Sequence, residues 1–394
     1  MDHIANEGRS RNVKSYKKGH ELDELAKIWL DDDNIFYVWG AAIAGTKFLR
    51  QYKDEICIRK VFDSDPEKQG KMLEDREIVR FDQNCMEPGS KIIVCTNFYR
   101  EVKQELLRYG FKENIDFIER KKFKGIRYYY NENKVYLYRV DLSVTNKCTL
   151  RCEKCNMLMP YFHAPQHKSL ETIKQDLDML FRWVDVVELF DILGGEPLLY
   201  PDLVELLQYI KEHYQEKIEA IHMFTNGTCN LNEELLRISR EMSIIYDISD
   251  YTQELPQLTE RVDEFESKLQ EHKIVVNRDK QKIWLDFGYP EVNHEDYPEE
   301  KRIAHFHGCE ATFRGLYDKK LYYCHLEASA VQAGLFEESE DDFVELDKLS
   351  EENKIEVVEL DQGYSKKGYP GFCLRCDGCG SKKRIPVAKQ KGKG

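Results

Sequence analysis

The grouping of the cysteines is the feature that most constrains this chain. Of its twelve cysteines, eight form one group of three and one group of five: Cys148, Cys152 and Cys155, then Cys309, Cys324, Cys373, Cys376 and Cys379. Disulfide frameworks are typical of short secreted chains, whereas this sequence has 394 residues and no apolar signal segment after its first basic residues. Clustered thiols in a reducing compartment are more often metal ligands. The sequence therefore predicts two metal centres in a cytoplasmic protein.

Composition and charge exclude several classes of protein. Hydrophobic residues make up 41% and charged residues 33% of the chain, which is typical of large folded domains rather than of disordered or fibrous chains. The formal net charge of −13 argues against a general nucleic-acid binder, because neutralising phosphates requires a basic surface. The longest nearly apolar run, Phe36 to Gly45, is about half of a membrane span. We expect no nucleic-acid partner and no membrane partner.

The first part of the chain, residues 1–133, alternates buried strands with helical segments. The strands are predicted at Asn34 to Trp39, Ile56 to Phe62 and Lys91 to Cys95. Strands that alternate with helices form parallel sheets, and the sequence therefore predicts a doubly wound α/β domain here.

A glycine motif follows the first of these strands. Gly40-x-Ala42-x-x-Gly45, with Asp63 near the end of the second strand, resembles the dinucleotide fingerprint of Rossmann-like modules attached to carbohydrate-biosynthesis enzymes. Ala42 places a methyl group where the backbone should approach a pyrophosphate, which argues against NAD. We favour a docking or structural role over a bound nucleotide.

The alternation restarts at Tyr136 and predicts a second α/β region over residues 134–290. Six strands are predicted, at Tyr138 to Val144, Val186 to Leu193, Ile218 to Phe224, Ile244 to Ser249, Ile274 to Asn277 and Ile283 to Phe287. Ser169 and Asn232 are the expected caps of two intervening helices. Six strand–helix units are too few for a closed eightfold barrel and predict a partial, TIM-like (β/α)6 barrel.

A different pattern follows the barrel. Residues 291–380 are predicted to form a small cysteine-rich domain, with a hairpin from Thr312 to Tyr317 and from Leu321 to Cys324. The tail, residues 381–394, has six Lys or Arg and no acid, so we expect it to be disordered.

The first cysteine group lies just beyond the first barrel strand, in Cys148-Thr-Leu-Arg-Cys152-Glu-Lys-Cys155. Three thiolates are one ligand short of closing a four-iron cluster, so one iron stays open to another ligand. On spacing alone, the alternative is a zinc site completed by His163 or His167.

Short polar motifs follow the next three barrel strands. They are Gly194-Gly195-Glu196-Pro197, Thr225-Asn226-Gly227 and Ser249-Asp250-Tyr251. Together with Cys-x3-Cys-x2-Cys, these motifs resemble the radical S-adenosylmethionine (radical SAM) enzymes over residues 136–287. Lys154 departs from the pattern, because an aromatic residue usually precedes the third cysteine and packs near adenine.

The resemblance implies a cofactor set and a chemistry. The first three cysteines would hold a [4Fe-4S] cluster whose open iron binds S-adenosylmethionine. The expected cofactor-binding residues are Gly194, Gly195, Glu196 and Pro197, at the methionine amino group, with Asn226, Ser249 and Asp250. Reductive cleavage by a flavodoxin- or ferredoxin-type electron donor would give a 5′-deoxyadenosyl radical, which abstracts hydrogen from a substrate C–H bond.

The second cysteine group resembles the auxiliary cluster domains called SPASM or, in the one-cluster form, twitch. The resemblance implies a single auxiliary [4Fe-4S] cluster, for which we favour Cys309, Cys324, Cys373 and Cys376 as ligands. Cys379 is then a substitute ligand or a free thiol. A structural zinc ribbon is the alternative.

Three functions remain open at this point. The leading hypothesis is a radical SAM oxidoreductase or epimerase acting on a sugar, a nucleotide-sugar or a related polar metabolite. The second is a maturase of ribosomally made peptides, and the third is a non-catalytic iron–sulfur or zinc protein. The sequence names no catalytic acid or base.

Overall fold

Two largely parallel sheets organise the chain, one in each of the two units into which it divides. The structure is a computed structural model that describes residues 21–280, 283–309, 311–364 and 368–391. We call Gly19–Tyr136 the N-terminal unit and Leu137–Gly394 the C-terminal unit. The α/β class expected from the sequence is confirmed in both.

The N-terminal unit contains a six-stranded sheet in the order β3-β4-β2-β1-β5-β6, parallel except for the β3–β4 pair. The strands are β1 Ile35–Trp39, β2 Cys57–Phe62, β3 Met72–Leu73, β4 Arg76–Val79, β5 Lys91–Val94 and β6 Phe117–Glu119. The helices are α1 Glu21–Trp29, α2 Ile43–Tyr52, α3 Tyr99–Arg108 and α4 Arg120–Glu132. The three strands predicted from the sequence lie at the centre of this sheet, and the short strands β3, β4 and β6 were not predicted.

The residues of the glycine motif in this unit form a tight turn and contact one another. Gly40 has a φ of +122°, and a Cβ on Gly45 would lie 1.8 Å from the carbonyl oxygen of Gly40. The Asp63 carboxylate accepts hydrogen bonds from the N–H groups of Ala41 at 2.8 Å and Asp65 at 2.9 Å. The turn alone accounts for these residue types, and the docking or structural role that we favour for this unit stays a prediction.

The C-terminal unit contains an eight-stranded sheet in the order β11-β10-β9-β8-β7-β13-β14-β15. Its first five strands are β7 Tyr136–Ser143, β8 Val186–Leu193, β9 Ile218–Thr225, β10 Ile245–Ser249 and β11 Val276–Asp279, and the helices between them are α5 Leu170–Trp183, α6 Leu203–His213, α7 Glu233–Glu241 and α8 Thr259–Glu271. The remaining elements are β12 Ile283–Leu285, α9 Glu299–Cys309, β13 Arg314–Tyr317, β14 Lys320–Tyr322, α10 His325–Gln332, β15 Phe343–Glu345, α11 Ile355–Asp361 and β16 Arg384–Pro386. The predicted caps are confirmed, because Ser169 accepts from the N–H of Thr172 and Asn232 from that of Leu235.

Five of the six predicted barrel strands lie in this sheet, and the assignment of the sixth is wrong. The segment predicted at Ile283 to Phe287 forms only β12, which pairs antiparallel with β16 in a separate two-stranded sheet. Ile283 is 61% exposed, whereas strands of a parallel sheet are buried on both faces.

The edge beside β7 is occupied instead by β13, which runs parallel to it. The predicted hairpin is confirmed as β13 and β14, joined by Asp318 and Lys319 in left-handed conformations.

The two faces of strands β7 to β10 differ in chemistry. On one face the side chains are apolar and buried, as in strands covered by helices: Val140, Leu142, Phe190, Ile192, Ile221, Met223, Tyr246 and Ile248. The alternate positions carry ionisable side chains: Arg139, Asp141, Asp191, His222 and Asp247. A polar surface therefore lines the sheet on the side opposite to the apolar layer, and we call it the polar face.

The prediction of a disordered tail from Ser381 to Gly394 is wrong for the residues described. β16 pairs with β12, and Val387 and Ala388 are both 0% exposed. The apolar residues of this segment pack against the unit, and this burial orders the segment in spite of its basic side chains. Within the described residues, no helix combines the length and the apolar character that crossing a bilayer requires.

Candidate functional site

The three-cysteine loop is attached at its start to the glycine motif after β8. The N–H of Gly195 donates to the carbonyl of Thr145 at 2.8 Å, and that of Glu196 donates to Lys147 at 2.9 Å. A Cβ on Gly194 would lie 2.4 Å from the Thr145 oxygen, and one on Gly195 would lie 2.3 Å from the Lys147 oxygen. The two glycines are therefore required for the close approach of the two segments.

The thiols of this loop are surrounded by hydrogen-bond donors. Cys148 Sγ accepts from the Leu150 N–H at 3.4 Å and from Asn226 Nδ2 at 3.7 Å. Cys155 is half-buried, and burial raises its pKa although its sulfur accepts from three consecutive main-chain N–H groups, residues 157–159. Donors that converge on sulfur stabilise a thiolate, which is the form that binds metals. The three cysteines therefore fit the role of cluster ligands.

The histidines of the zinc alternative have other surroundings. His167 Nδ1 lies 3.0 Å from Thr145 Oγ1, and His163 is exposed. Across the described residues, no three His, Cys, Asp or Glu side chains form a site for a single metal ion.

Glu196 places a buried carboxylate beside the loop. It is 0% exposed and accepts hydrogen bonds from Thr225 Oγ1 at 2.7 Å, from the Asn226 N–H at 2.9 Å and from the Leu198 N–H at 3.3 Å. Burial raises its pKa to about 7 in spite of these donors. None of the ion pairs among the described residues involves it, so a cationic group of a ligand would find an uncompensated acceptor here.

The other predicted cofactor residues divide into two sets. Asn226 lies at the cysteine loop, where its Nδ2 donates to Thr149 Oγ1 at 3.0 Å, and Pro197 opens the short 3₁₀ turn Pro197–Leu199. Asp250 is 1% exposed and its carboxylate is already bound by Arg278 Nε at 2.7 Å and by the Thr252 N–H at 2.8 Å. Ser249 bonds to the Tyr251 hydroxyl. The prediction that Asp250 and Ser249 contact the cofactor is untested, and both have partners within the chain.

Lys154 occupies the position at which the family pattern has an aromatic residue. Its ammonium pairs with Glu291 at 2.6 Å, and its backbone is left-handed with a φ of 55°. An aromatic pair also lies near the cysteines: Tyr251 and Trp284 meet edge to face with ring centroids 5.5 Å apart, and both pack against the cluster that contains Cys152.

The polar face carries a charged cluster that sequence reasoning missed. Arg139 bridges Asp141 and Asp191, and His325 Nδ1 bonds to the second oxygen of Asp141. Burial and the neighbouring Asp141 raise the pKa of Asp191. Charged residues at alternate positions of otherwise apolar strands were the signal that would have found this cluster.

A second polar group continues across the next three strands. His222 Nδ1 lies 2.5 Å from Asp247 Oδ2, and Asn277 Nδ2 donates to the other Asp247 oxygen at 2.9 Å. His222 is the register partner of Asp191, so the two polar groups are neighbours on one face. The side chains of His222 and Asp247 are 18% and 20% exposed, which leaves them accessible from the polar face.

The second cysteine group surrounds one small cavity, lined by the four cysteines favoured as ligands: Cys309, Cys324, Cys373 and Cys376. Cys379 is not among the lining residues. Its main-chain N–H and its thiol both donate to Cys309, which lowers the pKa of Cys309 while Cys379 keeps its proton.

A buried acid faces the same cavity. Glu327 is 0% exposed, and both of its carboxylate oxygens lack a hydrogen-bond partner among the described residues. Burial raises the pKa of this carboxyl well above its ordinary value. Buried polar groups are rarely left without partners, so thiols and an unsatisfied acid around one cavity fit a site that holds a further group. No sequence pattern predicted a role for Glu327.

The fold and this arrangement define an α/β domain with a three-thiol centre at the carboxyl ends of its strands. Residues 142–281, which include the three-cysteine loop and the glycine motif, match the Radical SAM superfamily model.

Relatives were found for limited parts of the chain. The GTP 3′,8-cyclase of Erythrobacter litoralis (strain HTCC2594) is 33% identical over 88 residues, which are 22% of this chain and 26% of that protein. The S-adenosylmethionine-dependent nucleotide dehydratase of Selenomonas ruminantium is 29% identical over 101 residues, 25% of this chain and 33% of that protein. The chain thus spans a third or less of the length of these curated relatives. Among solved structures, BtrN in complex with AdoMet and 2-DOIA matches 64% of this chain and 96% of its own, with 12% identity and a TM-score of 0.40.

Proposed function

We propose that this protein is a radical SAM enzyme that oxidises or epimerises a sugar, a nucleotide-sugar or a related polar metabolite. When bound at Cys148, Cys152 and Cys155, the cluster would supply the electron that splits S-adenosylmethionine into methionine and a 5′-deoxyadenosyl radical, which takes hydrogen from a substrate C–H bond.

Glu196 supports the cofactor assignment. Its carboxylate is buried and without a cationic partner among the described residues, and an ammonium group is the complement that such a site favours. Gly194 and Gly195 hold this carboxylate close to the cysteine loop. The methionine amino group would bind at Glu196, and Asn226 would keep Cys148 oriented through its hydrogen bond to the sulfur.

The proposal for the substrate class rests on the side chains of the polar face. Arg139, Asp141, Asp191 and His325 present both donors and acceptors, and their mutual hydrogen bonds fix their orientation. A substrate rich in hydroxyl groups requires such fixed donors and acceptors, whereas an apolar substrate would leave them unsatisfied.

His222 is suited to proton transfer in an oxidation. Asp247 faces its Nδ1 and is itself held by Asn277, so the Nε2 side of the ring remains for a substrate. Oxidation of an alcohol carbon requires the hydroxyl proton to leave, and His222 Nε2 would accept it.

The second cysteine group would hold the acceptor for the electron that an oxidation releases. Cys309, Cys324, Cys373 and Cys376 around one cavity support a single auxiliary [4Fe-4S] cluster there. The names of both curated relatives include nucleotide substrates or products, which agrees with a polar substrate class.

Anaerobic reconstitution followed by an assay for 5′-deoxyadenosine tests the proposal. With dithionite or flavodoxin as the electron donor, we expect about eight irons per chain for two four-iron clusters and formation of 5′-deoxyadenosine. Deuterated sugars, nucleotide-sugars and nucleotides should transfer deuterium into the product. The Asp191→Asn variant should lose this transfer but still cleave S-adenosylmethionine without substrate.

Two results would reject parts of the proposal. A reconstituted, reduced chain that forms no 5′-deoxyadenosine would reject radical chemistry. Deuterium transfer from a precursor peptide, with none from any sugar or nucleotide, would reject the metabolite and establish a peptide maturase.

A further inference from the structure

The C-terminal segment, residues 383–391, lies against the three-cysteine loop. β16 docks on β12, and the two residues that follow it, Val387 and Ala388, are fully buried in a cluster with Cys152 and Tyr251. Cys152 is only 7% exposed. The segment therefore supplies part of the enclosure around this thiol.

Main-chain hydrogen bonds join the segment to the loop on both sides of Cys152. The N–H of Glu153 donates to the carbonyl of Lys389 at 2.7 Å, and the N–H of Lys391 donates to the carbonyl of Arg151 at 2.8 Å. Cys152 and Gln390 are paired as an antiparallel bridge. This pairing fixes the side chain of Gln390 beside the sulfur.

The amide of Gln390 bonds to the loop through both of its ends. Its Oε1 accepts from the Arg151 N–H at 2.8 Å, and its Nε2 donates to Cys152 Sγ at 3.3 Å and to the Ala388 carbonyl at 2.6 Å. A carboxylate at this position would lose the donor, and an apolar side chain would lose both contacts.

We infer that residues 383–391 form one wall of the three-cysteine site, and that Gln390 is a positioning residue whose amide raises the reduction potential of a cluster bound to Cys152. The effect on the potential rests on the proposed function. Reduction adds negative charge to the cluster and its sulfur ligands, and a donor to a ligand sulfur stabilises that charge.

Thiol alkylation of the full-length, metal-free chain tests the wall. Iodoacetamide should modify Cys152 slowly in the wild type, and severalfold faster in Val387→Asp, which places a charge in the buried contact. Cys57, which is exposed in the N-terminal unit, serves as the internal reference. Lys389→Ala, at a side chain that is 66% exposed, is the matched control and should leave Cys152 protected. If Cys152 is alkylated at the same rate in the wild type and in Val387→Asp, with the rate of Cys57 unchanged, the proposal that residues 383–391 enclose Cys152 is wrong.

A redox titration tests the role of Gln390. The electron paramagnetic resonance signal that responds to added S-adenosylmethionine should reach half-reduction at a more negative potential in Gln390→Ala, and at a still more negative one in Gln390→Glu. Lys389→Arg, which keeps the positive charge and the ion pair with Glu153, should match the wild type. Unchanged midpoints in both Gln390 variants would overturn the role of the amide. A wild-type chain that binds no iron would contradict the proposed function and the effect on the potential, whereas the alkylation result would stand.

Discussion

Replacing Glu196 by Gln measures the consequence of burying a carboxylate that has no cation beside it. The native structure encloses this side chain completely, and burial raises its pKa from 4.5 to about 7 against the opposing effect of three hydrogen-bond donors. Between these two values the native state keeps a proton that the unfolded chain releases. The native protein therefore binds more protons than the unfolded chain, and its stability falls as the pH rises through this range.

The size of this effect follows from the pKa difference. A difference of about 2.5 pH units at about 1.36 kcal/mol per unit corresponds to about 3 kcal/mol of stability, present below pH 4.5 and lost above pH 7. Gln does not titrate, so the variant lacks this pH-dependent loss. The variant also loses one hydrogen-bond acceptor, because an amide nitrogen cannot accept from the main-chain N–H of Asn226. This loss destabilises the variant at every pH by about 1–3 kcal/mol.

Urea unfolding of wild type and Glu196→Gln between pH 5 and pH 8 provides the assay. We expect the variant to be the less stable protein at pH 5, and its deficit to shrink by about 2–3 kcal/mol by pH 8. Glu205→Gln, at an exposed carboxylate on α6, is the control and should follow the wild-type curve. A constant difference between Glu196→Gln and wild type across this range would refute the assignment of a raised pKa to Glu196.

Three further predictions concern the packing and the ligands. Gly195→Ala places a methyl group 2.3 Å from the Lys147 carbonyl oxygen, so it should lower the free energy of unfolding by about 1–3 kcal/mol; an unchanged urea midpoint contradicts this. Cys373→Ala should lower the iron content of the reconstituted protein, by about four irons at most, because it removes one of the four thiols around the cavity, while Cys379→Ala should retain the irons; equal iron contents would show that the ligands are assigned wrongly. Arg314→Ala removes a cation that is 2% exposed from a buried pair with Asp361, so thermal unfolding should show a loss of about 3–5 kcal/mol, and a loss below 1 kcal/mol would contradict a buried pair.

The sequence predicted the location of the site because a local rule determines it. Parallel strands that alternate with helices bring their carboxyl ends to one edge, so motifs that follow successive strands must meet there. Glu196 and Asn226 are 30 residues apart and yet share a hydrogen bond for this reason. The strand and helix periodicities carried enough information to place both.

The same rule does not predict strand pairings between segments that are distant in the sequence. β13 pairs with β7, although about 170 residues separate Gly315 from its partner Asp141. β12 pairs with β16, and its exposed Ile283 gives no indication of that partner. The orientation of Glu327 toward the cysteine cavity likewise depends on how α10 packs, and its position in the sequence does not reveal it.

The docking of the C-terminal segment also has a consequence for synthesis of the protein. Gln390 and Arg151 are 239 residues apart, so the enclosure of Cys152 is completed only after residues 383–391 have left the ribosome. At about 5–20 residues per second, the loop is made roughly 10–50 s before the residues that cover it. During that interval the three thiols lack their last wall, and the proposed cluster would have its freest access to them.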